Sequence, residues 1–291
     1  MTKNQNSIPT IAARLDTDKP VRKTPYQVKG VIIRDFPDHP IVPFINGAYR
    51  DNFLYPRIQV KILNEQINFI GIKEGVNPIK SLVKKLKIMN FGNITFEVLD
   101  HNIDLATNRF ALASHLIRYR FLTPWVALNE PNLMKYKYLY GEERLKFLTR
   151  LLSQNIVFLA KEMELELHSK VFSKLKLDSL YPRMVDDGKM GAFYGDFHTN
   201  FILPNFLGIG NGITKGYGVV FSQFNPSDFT FDESEVKEDA DNDSIVEKLP
   251  ENWEEEGLSE DDIPKSRREK NQVNEPDEPN YNTLKYHSRK L

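Results

Sequence analysis

Five of the fourteen residues in Leu207–Val220, LGIGNGITKGYGVV, are glycine: Gly208, Gly210, Gly212, Gly216 and Gly218. No other stretch constrains the chain as much. Without a Cβ, glycine reaches φ > 0 and lets backbone amides come close to a ligand. Amides that converge on a concavity favour an anion, phosphate above all. The apolar run Phe201–Leu207 precedes the loop, and Tyr217, Val219 and Val220 favour a strand after it. Lys215 is its single basic residue, and Asn211 lies before it. Two familiar phosphate signatures do not fit. The Walker pattern needs Gly-Lys-Ser/Thr opening a helix, whereas Gly216 follows Lys215. The dinucleotide fingerprint needs G-x-G-x-x-G opening a helix early in a βαβ unit, whereas this loop reads G-x-G-x-G and leads into a strand. A glycine-rich turn before a last strand is the plainer alternative.

Charge divides the chain. Its net charge is −1, but residues 1–227 carry 30 Lys and Arg against 20 Asp and Glu, while residues 228–291 carry 9 against 20. A body of +10 joined to a tail of −11 predicts a polyanion-binding domain with a solvated extension. The tail has too few apolar residues to offset chain entropy, so it is expected to be mostly disordered. Trp253 with Leu258 or Ile263 is its one candidate for a short docking helix. The absence of cysteine excludes disulfides and thiolate metal sites. With no apolar run near the length of a membrane span and no signal peptide at the N-terminus, a soluble cytoplasmic protein without a membrane partner is expected.

Periodicity gives the elements. Residues 1–25 read as a flexible arm and YQVKGVIIRDF, 26–36, as a strand. FLYPRIQVKIL alternates, with Ile58, Val60 and Ile62 on one face and Arg57, Gln59 and Lys61 on the other. A turn at Asn64-Glu65 leads to the partner strand QINFIGI. A short lysine-rich helix over 78–88 and the strand ITFEVLD follow. In the second half, HLIRYRFLTPWVAL puts Arg118 and Arg120 on one strand face. Leu148, Leu151, Leu152, Ile156, Leu159 and Met163 form the stripe of the longest helix. Strands follow at KVFSKLKL, GAFYGDFHTNFIL and GYGVVF. The class is α+β: two tandem ferredoxin-like domains, 26–114 and 115–227, followed by a disordered acidic tail at 228–291.

LPNFLGIGNGITKGYG, YRFLTPWVALNEPN (119–132) and FLYPRIQVKILNEQINFIGIKEG (53–75) resemble, in that combination, the CRISPR-associated endoribonucleases that cut repeat RNA, within the RAMP superfamily. The resemblance covers about residues 25–224. It implies two RAMP (RRM-like) domains and cleavage of a precursor CRISPR RNA within the repeat, without metal or cofactor. The 2′-OH attacks the adjacent phosphate and leaves a 2′,3′-cyclic phosphate and a 5′-OH. RNA is the implied partner, for a monomer or homodimer. The alternative on the same fold is a non-catalytic RNA-binding protein that holds guide RNA in a CRISPR effector complex. A RAMP-type nuclease acting on another RNA is a third reading.

Such chemistry needs a proton acceptor, a proton donor and a cation for the phosphorane. The family places a histidine pair shortly before the Tyr-Pro of the 53–75 block, whereas this chain has PFINGAYRDNFLYP there. His39 is then the candidate for proton transfer, assisted by Tyr49, Tyr55 and Lys61. The candidate RNA contacts are Gly208, Gly210, Asn211, Gly212, Lys215, Gly216 and Gly218, with Arg57, Arg118 and Arg120. Asp196 and His198 form an Asp-x-His pair, for which a structural role is the better expectation. The remaining histidines show no metal-ligand spacing.

Overall fold

The computed structural model describes residues 7–107, 110–224 and 245–264. The N-terminal half runs β1 (Thr10–Thr17), α1 (Pro25–Asp35), α2 (Val42–Ile45), β2 (Ile58–Leu63), β3 (Gln66–Ile72), α3 (Val76–Val83), β4 (Ile88–Asn90) and β5 (Thr95–Ala106). Its antiparallel sheet has the order β2-β3-β1-β5-β4. Setting aside the short α2 and β4, this is βαββαβ with the ferredoxin-like strand order.

Two expectations are corrected here. Residues 10–17 are a strand inside the sheet, not part of a loose arm: Thr10 pairs Ile72 on one side and Ala106 on the other. Ile11, Ala13 and Leu15 alternate into the core, but polar neighbours hide so short a pattern until both partners are in place. Residues 25–35 form a helix, not a strand. Thr24 and Gln27 make a capping box and Pro25 opens the first turn. Val28, Val31 and Ile32 then lie on one buried face. Their β-branched side chains cost a helix only a few tenths of a kcal/mol each, which that burial outweighs. The hairpin forms as expected, with Asn64 and Glu65 at φ 49° and 57° in its turn.

The C-terminal half comprises β6 (Ala111–Phe121), β7 (Trp125–Leu128), α4 (Glu130–Tyr136), α5 (Gly141–Glu162), β8 (Ser173–Leu177), β9 (Arg183–Val185), β10 (Met190–Phe193), β11 (Gly195–Ile202) and β12 (Val220–Phe221). The main sheet, β12-β6-β11-β8, has the ferredoxin-like order again. The predicted stripe of α5 shares one buried core with Tyr119, Phe121 and Phe197. Between β11 and β12, where the fold would place its second helix, runs the glycine-rich loop. β7, β10 and β9 form a separate three-stranded sheet.

Part of the acidic tail packs on the C-terminal half. β13 (Val246–Lys248) pairs with β6, and α6 (Trp253–Glu256) follows. Leu258 and Val171 exchange two backbone hydrogen bonds of 2.8 and 2.9 Å. The candidate helix at Trp253 forms, and Leu258 is the side chain that enters the core, at 4% exposure. Mean composition conceals such a segment, because its few apolar residues find partners far away in sequence. The rest of the tail lies outside the described residues, and its expected disorder with it.

Candidate functional site

A cleft of about 450 Å³ opens where α1 and the loop after it meet the glycine-rich loop. Tyr26, Lys29, Asn46, Tyr49, Arg50 and Arg57 line one side, and Gly210–Thr214 the other. The loop carrying Tyr49 is fixed by its own rings. Phe44, Tyr49 and Phe53 pack with centroids 4.9–6.0 Å apart, leaving Tyr49 38% exposed.

Across the cleft, Gly212 (φ 69°) and Gly216 (φ 99°) bracket a 3₁₀ turn at Ile213–Lys215. The N-terminal half holds this loop by its carbonyls. Lys61 Nζ donates to Ile213 O at 2.9 Å and to Tyr217 O at 3.4 Å, and Lys29 Nζ to Thr214 O at 2.8 Å. Tyr55 Oη donates to Gly208 O at 2.5 Å, while Gln59 Oε1 accepts the Gly208 N–H at 2.9 Å. Meanwhile the N–H groups of Gly212, Ile213 and Thr214 have no partner among the described residues. Those three residues line the cleft, and backbone N–H groups left without a partner favour an anion.

The glycines follow from this packing. A Cβ on Gly218, at φ +66°, would lie 1.9 Å from Ile209 O, and one on Gly210 would lie 2.7 Å from Trp125 Nε1. Neither position has room for a side chain.

Burial shapes the ionisation of the site. Lys61 has no exposed surface, and desolvation followed by repulsion from Lys29 lowers its pKa to about 7. Desolvation also lowers Lys29, whose Nζ lies 4.5 Å from the Tyr26 ring centroid. Burial pushes the Tyr55 phenol well above its ordinary value, so it stays a donor.

The sequence candidates are thus distributed. Tyr49, Arg57, Gly210, Asn211 and Gly212 line the cleft, and Tyr55 and Lys61 lie behind it as anchors of the loop. Arg57 is itself tied to Glu74 (2.9 Å) and to Glu162 O (2.9 Å). Lys215 is outside the lining, in an ion pair of 2.6 Å with Asp186 that raises its pKa. His39 is away from the cleft, 6% exposed. Its Nδ1 accepts the Ile41 N–H and its Nε2 lies 3.2 Å from Ser81 Oγ. Desolvation, then Lys85, lowers its pKa. Arg118 and Arg120 lie on the outer face of β6, both bound to Asp196, beside a separate depression. His198 Nε2 lies 3.1 Å from Glu247 Oε1 under the tail segment.

The sequence reading missed Tyr26 and Lys29. Their spacing of three puts them on one helix face, a signal lost once that stretch is taken for a strand. Among the described residues no three His, Asp or Glu gather as metal ligands, and no helix is long and apolar enough to cross a membrane.

Comparison with known proteins follows the two halves. Residues 6–109 match the family model of the Cas6b N-terminal domain, and residues 111–223 that of the Cas6b C-terminal domain. An uncharacterized protein of Methanocaldococcus jannaschii is 29% identical over 139 residues, 48% of this chain and 95% of that one. A crystal structure of Cas6b superposes with a TM-score of 0.63 at 27% identity, covering 74% of this chain and 98% of the other. A second, of the CRISPR RNA processing endoribonuclease Cas6b, gives 0.55 at 25% identity, covering 73% and 98%. Neither family model reaches residues 245–264.

Proposed function

The chain belongs to the Cas6b family, and from that we propose that it processes CRISPR RNA as an endoribonuclease acting within the repeat. The observation that carries this reading is the cleft. It sets Lys29, Tyr49 and Arg50 opposite the unpartnered amides of Gly212–Thr214. A scissile phosphate seated there has donors on two sides. The 2′-OH loses its proton and its oxygen attacks phosphorus, the bond from phosphorus to O5′ breaks, and O5′ takes up a proton. The products are a 2′,3′-cyclic phosphate and a 5′-OH, and the step uses no metal. Arg50 and the loop amides are placed to stabilise the phosphorane charge, and Tyr49 is the side chain placed to exchange a proton. Lys61 acts from behind, by holding the turn whose amides face the phosphate. RNA is the partner that this chemistry requires.

The location of His39 favours a second reading, a binding protein that holds RNA without cutting it. The residues lining the cleft include no imidazole, and His39 has both ring nitrogens engaged elsewhere.

One assay separates the two. Repeat RNA is incubated with the protein in EDTA, beside a substrate with a 2′-deoxy sugar at the scissile position and beside Tyr49→Phe and His39→Ala. Cutting that the deoxy sugar blocks, with a large loss in Tyr49→Phe and little in His39→Ala, is the expected result. Tight binding of RNA without cutting would leave the second reading.

A further inference from the structure

The segment from Lys135 to Lys146, KYKYLYGEERLK, joins α4 to α5 and interleaves cations with tyrosines. Tyr136 turns inward and donates its hydroxyl to Leu180 O at 2.7 Å. Tyr140 and, just before β9, Tyr181 remain 73% and 79% exposed. Scattered exposed rings need no explanation, but these converge on one cation. Arg144 Cζ lies 5.0, 5.5 and 5.8 Å from the ring centroids of Tyr136, Tyr181 and Tyr140. Its Nε donates to Leu139 O at 2.6 Å. Among the described residues no carboxylate pairs with Arg144, Lys137 or Arg183. Arg118 and Arg120, by contrast, are both taken up by Asp196. A guanidinium fixed by rings and a carbonyl, whose terminal N–H groups have no hydrogen-bond partner among the described residues, suits a phosphate. Open phenol faces beside it suit unpaired bases.

The small sheet connects this surface to the glycine-rich loop of the cleft. β9 is two strands from β7, about 10 Å at ordinary strand spacing. β7 in turn bonds the glycine-rich loop through the Asn211 N–H to Val126 O at 2.9 Å. Asp186, in the turn after β9, holds Lys215 of the same loop.

We propose that Tyr140, Tyr181 and Arg144 form a stacking platform for a single-stranded RNA segment that leaves the cleft. Unpaired bases stack on the two exposed rings and the phosphate between them binds Arg144. Lys137 and Arg183 add salt-dependent attraction. The platform rests on the reading of the cleft as an RNA site.

The test is fluorescence anisotropy with a repeat stem-loop carrying a 2′-deoxy scissile sugar, bare or extended by a single-stranded tail at either end. Wild type is compared with Tyr140→Ala/Tyr181→Ala and Tyr140→Phe/Tyr181→Phe, with melting curves for each. One extension is expected to tighten binding to wild type. The alanine pair should lose that gain, about tenfold for each ring, with the bare stem-loop and the melting temperature unaffected. The phenylalanine pair keeps the ring faces and should bind like wild type. Equal binding of extended RNA by wild type and the alanine pair overturns the platform and leaves the cleft reading intact. So does the same result with wild type dimeric and the alanine pair monomeric in sedimentation, which would make the rings a protein interface. If wild type binds none of these RNAs, the cleft reading falls and the platform with it.

Discussion

Lys61 Nζ donates to the carbonyl of Ile213, 152 residues further along, across 2.9 Å. One half of the molecule thereby grips the glycine-rich loop of the other through an ammonium group that has no exposed surface. The contact aligns the loop and carries a desolvation cost, so it should show in the stability of the protein as well as in its function.

That cost depends on pH. Burial lowers the folded-state pKa of Lys61 to about 7 from an ordinary 10.5. Below about 7 both folded and unfolded states carry the proton and the penalty is complete. Between about 7 and 10.5 only the unfolded state holds it, so this contribution raises stability as pH increases. Thermal melting from pH 6 to 10 is expected to show that rise in wild type and a flatter profile in Lys61→Met. RNA affinity should fall in Lys61→Met at every pH, because the turn loses its anchor. An unchanged slope in the variant would mean that Lys61 is not the group responsible.

The loop itself can be tested at Gly218, where an added Cβ would meet Ile209 O at 1.9 Å and φ is +66°. Gly218→Ala is expected to destabilise by more than 1 kcal/mol and to weaken RNA binding strongly. Gly30→Ala, on α1 with nothing within 4 Å of the new Cβ, should be neutral or slightly stabilising. Chemical denaturation of the two variants reads the contrast directly.

The docked tail segment makes its own prediction. Leu258 is buried among the core residues of the C-terminal half and bridges Val171. Leu258→Ala should cost about 2–4 kcal/mol, an effect unexpected of an acidic solvated tail. Equilibrium unfolding of this variant at several salt concentrations measures it. A cost that persists in high salt identifies burial as its source, since surface charge effects are screened.

Asp196 binds both Arg118 and Arg120. Burial by itself would raise its pKa, but the hydrogen bonds from Arg120 and Arg118 and their charges outweigh this and lower it. Its contribution is therefore present above the ordinary carboxylate range and lost as pH falls through the lowered value. Asp196→Asn is expected to cost about 2 kcal/mol near neutrality and to remove part of the acid-induced loss of stability. Melting at pH 7 and pH 3 compares the two.

Much of the architecture can be read locally. The hairpin of β2 and β3 follows from strict alternation around Asn64-Glu65, and α5 from a stripe of six apolar residues, because period and burial coincide there. The stretch from Pro25 to Asp35 shows the limit. Three β-branched residues in a row suggest a strand, while a capping box and a single buried face decide for a helix. That misreading also hid Lys29 from the candidate site.

The sequence alone determined the two-part charge pattern, the ferredoxin-like repetition and the place of the loop, because each is written in neighbouring residues. Tertiary structure decided which polar groups face the cleft. Arg57, Lys61, Arg118 and Arg120 occupy strand faces that look alike in sequence. Yet Lys61 is sealed under the loop, Arg57 is tied to Glu74 and Glu162, and the other two are held by Asp196. The fate of a charged side chain depends on the partner that the fold brings to it, often more than a hundred residues away, and local pattern carries no record of that partner.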